Sequence, residues 1–131
     1  MNEIYQWLTS KHTLYIRLFK DRVEIKHLEG GKSLVRLSHQ PYSNNRLIIA
    51  DYEAAEVFLI GVIKELLYPP NLFFDKGLRI ILQPVDSEIT EISSSESRIY
   101  RDFAQQIGAR EVYLCSHQEI MTDDEILKFI G

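Results

Sequence analysis

Several groups of side chains in this sequence are of types that can carry chemistry. Asp86 follows an apolar run, and Glu53 and Glu56 lie in a stretch of helical periodicity. Carboxylates that converge on two divalent ions perform metal-assisted phosphoryl chemistry. That chemistry would also draw on an acid in the first strand, and Thr13 to Phe19 contains none; Asp21 lies in the turn beyond. Scattered surface acids account better for the pattern. His12, His27, His39 and His117 are far apart and form no short metal-binding spacing, so no metal centre is expected. Cys115 and His117 stand two apart, which along a strand places them on one face. A nucleophilic pair needs a third group to orient the base, and none can be named, so a buried thiol and an edge histidine are expected. Lys11, Arg17, Lys20, Arg22, Lys26 and Lys32 gather near the N-terminus with Tyr15 and Phe19 between them, a miniature of a nucleic-acid stacking surface. Asp21, Glu24 and Glu29 dilute that field, and nucleic-acid binding is not expected. Trp7, Tyr15, Arg17 and Phe19 instead suggest a protein interface, where aromatic and arginine side chains contribute disproportionately.

The elements that must position these groups are legible in the periodicity. Leu14, Ile16 and Leu18 alternate with Tyr15, Arg17 and Phe19, as in a strand with two distinct faces. Lys20-Asp21-Arg22 makes a tight turn into a second strand, Val23 to Leu28. Glu29-Gly30-Gly31-Lys32 is the clearest turn signal and leads to a third strand, Leu34 to Leu37. Connections this short imply antiparallel neighbours. Gln40 to Arg46 reads as a loop. From Asp51 the period becomes helical, with Ala54, Ala55, Phe58, Val62, Leu66 and Leu67 on one stripe and Pro69-Pro70 as the stop. Leu78 to Leu82 is an apolar strand suited to cover on both sides. Ser93 and Glu96 have capping-box spacing at the head of a helix whose stripe is Ile99, Phe103 and Ile107, and Gly108 ends it. Glu111 to Cys115 is a last strand, and Thr122 opens a short C-terminal helix. Right-handed crossovers then set the last two strands parallel to the first. The order of three antiparallel strands, helix, strand, helix and strand, with a short C-terminal helix, predicts an α/β fold. It is a mixed five-stranded sheet, as in a ribonuclease-H-like or actin-like half-domain.

Composition narrows the classes. A chain of 131 residues fits one domain, 1–131, around one core. Nineteen acidic against fifteen basic residues, a formal charge of -4, is the wrong sign for a general nucleic-acid binder. A single cysteine excludes an intramolecular disulfide and any multi-cysteine zinc cluster. No run of about 18 apolar residues predicts a membrane span, and the N-terminus lacks the pattern of a secretory leader. A cytoplasmic location is the expectation.

Gly108-Ala109-Arg110-Glu111-Val112-Tyr113-Leu114 resembles a segment of the bacterial actin homologues of the MreB, rod-shape-determining, family. Leu47 to Glu56 is similar to that family's run into its first long helix, Arg79 to Pro84 to the strand that follows, and Thr13 to Ile16 to its opening hairpin. The resemblance implies an ATP-binding, filament-forming protein of the cytoskeleton. Its site residues do not carry over. Where the family's first strand ends in Asp-x-Gly-Thr, the aligned positions are Trp7-Leu8-Thr9-Ser10, leaving Thr9 and Ser10 as residual positions. Where the family has Ser-Gly-x-Thr and then a glutamate, this sequence has Pro84 to Glu91, without the glycine. Asp86 lies in that loop, and Glu96 is the nearest match to the glutamate, already explained by its capping box. The expectation is a truncated, nucleotide-free, actin-like ATPase-type domain with no cofactor and no catalytic residue. It would act through a protein partner or as a homodimer; the alternatives are a residual nucleotide-binding ATPase fragment or a weak nucleic-acid-binding domain.

Overall fold

The computed structural model describes residues 12–67, 78–86 and 92–131. Strand β1 (His12–Phe19) turns at Lys20-Asp21 into β2 (Arg22–His27), which returns through the Gly30-Gly31 turn to β3 (Lys32–Leu37). Asp21 sits at φ 58, a left-handed conformation that aspartate tolerates when its short side chain bonds locally. Here the carboxylate accepts the backbone N–H groups of Tyr42 and Ser43, each at 2.9 Å. The turn therefore anchors the loop that the sequence placed over Gln40 to Arg46. That loop contributes Tyr42 to the core, where it is fully buried and stacks on Phe58 with ring centroids 5.7 Å apart.

Helix α1 (Tyr52–Leu66) starts at Asp51, whose side chain accepts the N–H of Ala54. Its buried row is Ala55, Leu59, Val62, Ile63 and Leu66. The expected stripe is thus turned toward Leu59 and Ile63, because Ala54 and Phe58 sit at its margin. The Pro69-Pro70 stop lies outside the described residues. Strand β4 (Leu78–Pro84) follows, then α2 (Ser94–Gln106), with both halves of the Ser93–Glu96 capping box formed. Tyr100, Phe103, Ala104 and Ile107 are buried beneath α2, whereas Ile99, expected in that stripe, is 47% exposed. Gly108, at φ 122, turns the chain into β5 (Ala109–Leu114). Helix α3 (Asp123–Ile130) begins with a second capping box, Thr122 with Glu125.

The sheet order is β3-β2-β1-β4-β5, antiparallel on the β1–β2–β3 side and parallel from β1 to β5. Both long helices pack on one face, over Leu14, Ile16, Leu18, Val23, Ile25, Ile80 and Leu82. The other face carries a smaller cluster of Tyr15, Ile81, Cys115 and Ile126, closed by α3 and Met121. No helix among the described residues is long and apolar enough to cross a membrane.

Gly61 is an exposed residue inside α1, and a Cβ placed there meets nothing within 4 Å. Gly61→Ala is expected to stabilise the protein by about 0.5–1 kcal/mol, the helical cost of glycine relative to alanine. A rise in the midpoint of urea unfolding is the measurement.

Candidate functional site

Tyr15 and Arg17, expected at a protein interface, are used internally. Tyr15 is 3% exposed, and its hydroxyl donates to Oε1 of Gln83 while accepting the N–H of Met121. Arg17 donates from Nε to the same Gln83 oxygen at 3.0 Å, from Nη1 to Glu24 at 2.8 Å and from Nη2 to the carbonyl of Gln118 at 2.8 Å. The Gln83 amide donates to the carbonyls of His117 and Glu119, both at 2.9 Å. Side chains on β1 and β4 thereby hold the segment between β5 and α3 by its backbone. Phe19 is half-buried, with the Arg22 guanidinium 4.0 Å from its ring centroid. Trp7, Thr9 and Ser10 lie outside the described residues.

The same segment covers Cys115. The thiol is fully buried, burial pushes its pKa up, and Gln83 Nε2 stands 3.7 Å from the sulfur. His117 is exposed, so the two do not form a nucleophilic pair.

At the carboxyl ends of β1 and β4, the usual place for ligands in open α/β sheets, Asp86 pairs with Lys20 at 3.2 Å. Gln118 accepts the N–H of Asp86 and donates to the carbonyl of Pro84, laying the C-terminal segment across the strand end. Glu96 bonds back to the N–H of Ser93. Burial, with smaller contributions from Glu96 and Asp86, pushes the Tyr100 phenol up to about 12. The two residual acids are thus brought toward one tyrosine, each already engaged. Three of the hairpin cations are engaged as well: Lys26 reaches Asp123 at 2.6 Å, and Arg17 and Lys20 hold their own carboxylates.

A second grouping forms at the opposite pole. His12 Nδ1 and His27 Nε2 are 3.0 Å apart, and Glu29 Oε1 stands 3.6 Å from His27 Nε2. Both histidines are buried, and Glu29 is exposed. Spacing along the sequence concealed this cluster, but the hairpin register contains it. Leu14 pairs with His27, and His12 lies two residues from Leu14 on the same side of β1.

Among the described residues, large apolar side chains are exposed at several places, including Val57 on α1 and Ile120 before α3. On β3, an edge strand, Val35 is 55% and Leu37 69% exposed. Beside them a groove of about 670 Å³ separates the β2–β3 face from Ile120, Met121 and Asp123.

Two outcomes are expected. Gln83→Leu strands the Tyr15, Arg17, His117 and Glu119 partners, loosens the C-terminal segment and exposes Cys115; reaction with a thiol reagent under native conditions should accelerate by about tenfold or more. For α3, hydrogen bonds from the Thr122 backbone and hydroxyl hold Glu125 below its ordinary value of 4.5. A depressed folded pKa contributes stability above the unfolded value and loses it as pH falls through the folded one. An NMR titration should show the α3 amides shifting as pH drops below 4.5, and Glu125→Gln should reduce that step, leaving the part due to Asp123 and Asp124.

Among solved structures, the chain superposes on the crystal structure of MreB5 of Spiroplasma citri bound to ADP with a TM-score of 0.54 and 12% sequence identity. The match covers 82% of this chain and 39% of that one, so the chain spans well under half of the length of the protein it resembles. No protein-family model matches the chain, and no curated protein sequence matches it. At this identity the likeness speaks for the fold alone. The mixed five-stranded sheet interleaved with helices is of the actin-like, ribonuclease-H-like kind.

Proposed function

We propose that this chain is a non-enzymatic protein-interaction module built on one actin-like half-domain, and that its contact is with a second copy of itself along β3. The observation that carries this reading is the edge strand. Its outer backbone groups line the sheet margin, where the Val35 carbonyl accepts from Nη1 of Arg36, a bond that strand pairing would replace, and Val35 and Leu37 stand out from it in solvent. Such an edge is a template for another strand. Antiparallel pairing of β3 with its copy about Val35 sets Leu37 against Ser33 and Leu34 against Arg36. No two cations meet, and Arg36 is already neutralised by Glu65 of its own chain. Pairing in this way sets the two Val35 side chains against one another, places Ser33 beside Leu37 and joins the two sheets into one.

The carboxyl pole supports the non-enzymatic part. Among the described residues, it carries the Lys20–Asp86 pair with Gln118 on the Asp86 N–H, matched charge where a triphosphate would draw on free cations. The pairing of Arg17, Lys20 and Lys26 with carboxylates likewise supports protein contact over nucleic acid.

Analytical ultracentrifugation of the whole chain is expected to show a concentration-dependent dimer. Paired substitution Val35→Lys with Leu37→Lys should return the monomer with an unchanged circular dichroism spectrum. A wild-type monomer at high concentration, or a dimer indifferent to these lysines, overturns the contact. Calorimetry with Mg-ATP checks the rest: micromolar binding that disappears in Asp86→Asn would establish a nucleotide-binding chain instead.

A further inference from the structure

We propose that His12, His27 and Glu29 form a site for a divalent transition-metal ion of the zinc class, clamping the start of β1 to the turn after β2. The ligand atoms of the three side chains all lie within 4.8 Å of one another. Zinc bonds to imidazole nitrogen and carboxylate oxygen measure about 2.0–2.2 Å, so tetrahedral donors stand about 3.3 Å apart. The His12–His27 separation of 3.0 Å and the His27–Glu29 separation of 3.6 Å bracket that edge. Small side-chain movements bring all three donors onto one ion.

The donor chemistry selects the class of metal. Two imidazoles and one carboxylate suit zinc and its neighbours, whereas calcium and magnesium take oxygen ligands throughout. Three protein donors leave the fourth tetrahedral position to water or to another donor.

The surroundings also have the form of a ligand shell. The N–H of Thr13 donates to Glu29 Oε1 at 2.7 Å, which orients the carboxylate and leaves that oxygen a second lone pair. Arg79 stands 3.9 Å from the other Glu29 oxygen and is itself held by the Thr13 hydroxyl. The turn holds His27 closely: a Cβ at Gly30 would lie 2.7 Å from its Nδ1, so only glycine lets the ring take this position. Glu29 is exposed beside the two buried rings, so one of the three donors faces solvent.

The probe is Zn²⁺ alone, added to the metal-free chain and followed by calorimetry and thermal unfolding, with Co²⁺ as its spectroscopic substitute. One ion per chain is expected at micromolar affinity or better, with a raised melting temperature and the intense visible bands of four-coordinate cobalt. Glu29→Gln keeps an oxygen to accept from Thr13 and therefore the fold; it should weaken Zn²⁺ binding at least tenfold. His12→Gln and His27→Gln should abolish it, and His39→Gln and His117→Gln should leave it intact. Absence of binding by the wild-type chain overturns the site. So does binding that survives Glu29→Gln undiminished, or that falls equally with His39 or His117.

Discussion

The register of the β1–β2 hairpin is the constraint on which the remaining structure rests. A strand has a side-chain period of two, so a slip of one residue would turn Leu14, Ile16 and Leu18 away from the helices and bring Tyr15 and Arg17 beneath them. The turn that prevents this contains no glycine. Asp21 holds a left-handed backbone because its carboxylate is occupied by the N–H groups of Tyr42 and Ser43, while its carbonyl accepts the N–H of Ser38. The loop that follows β3 is thus folded onto the hairpin. Through the stack of Tyr42 on Phe58, the same restraint is passed to α1.

A five-stranded sheet has two faces to cover, and the long helices cover one. The second is closed by different means. Its apolar cluster is small, and the segment that lies over it is fastened by polar side chains, with Gln83 at their centre. A buried amide is costly when half-paired and rigidifying when fully paired. Here both ends of Gln83 are satisfied, and among the described residues no buried side-chain nitrogen or oxygen lacks a partner. This arrangement orders the backbone from His117 to Met121 without a large apolar helix. Among the described residues, a groove remains beside β3 that α3, short and centred on Ile126, does not fill.

The two poles of the sheet consequently differ in character. At the carboxyl ends of β1 and β4, charges are matched and the C-terminal segment lies across the opening. At the other end, two buried imidazoles and a carboxylate converge beside a glycine turn. The likeness to MreB5 concerns the path of the chain. What the poles do follows from their own side chains, because a shared fold leaves chemistry undecided.

The sequence by itself determined the elements and their order. Alternation in β1, the acid at the head of α1, the Ser93–Glu96 box and the glycine after α2 are all local, and each operates within a few residues of chain. Only the tertiary structure decided which residues of a stripe face inward, since α1 buries Leu59 and Ile63 and α2 leaves Ile99 half in solvent. It also decided that Tyr15 and Arg17 serve the interior, because the segment that covers them comes from the far end of the chain. The meeting of His12 with His27 lies between these cases. Separation along the chain hides it, but a known turn and a period of two reveal it. Local structure is written in neighbouring residues, whereas a site is written in register and closure, which join residues that have no reason to be near until the sheet has formed.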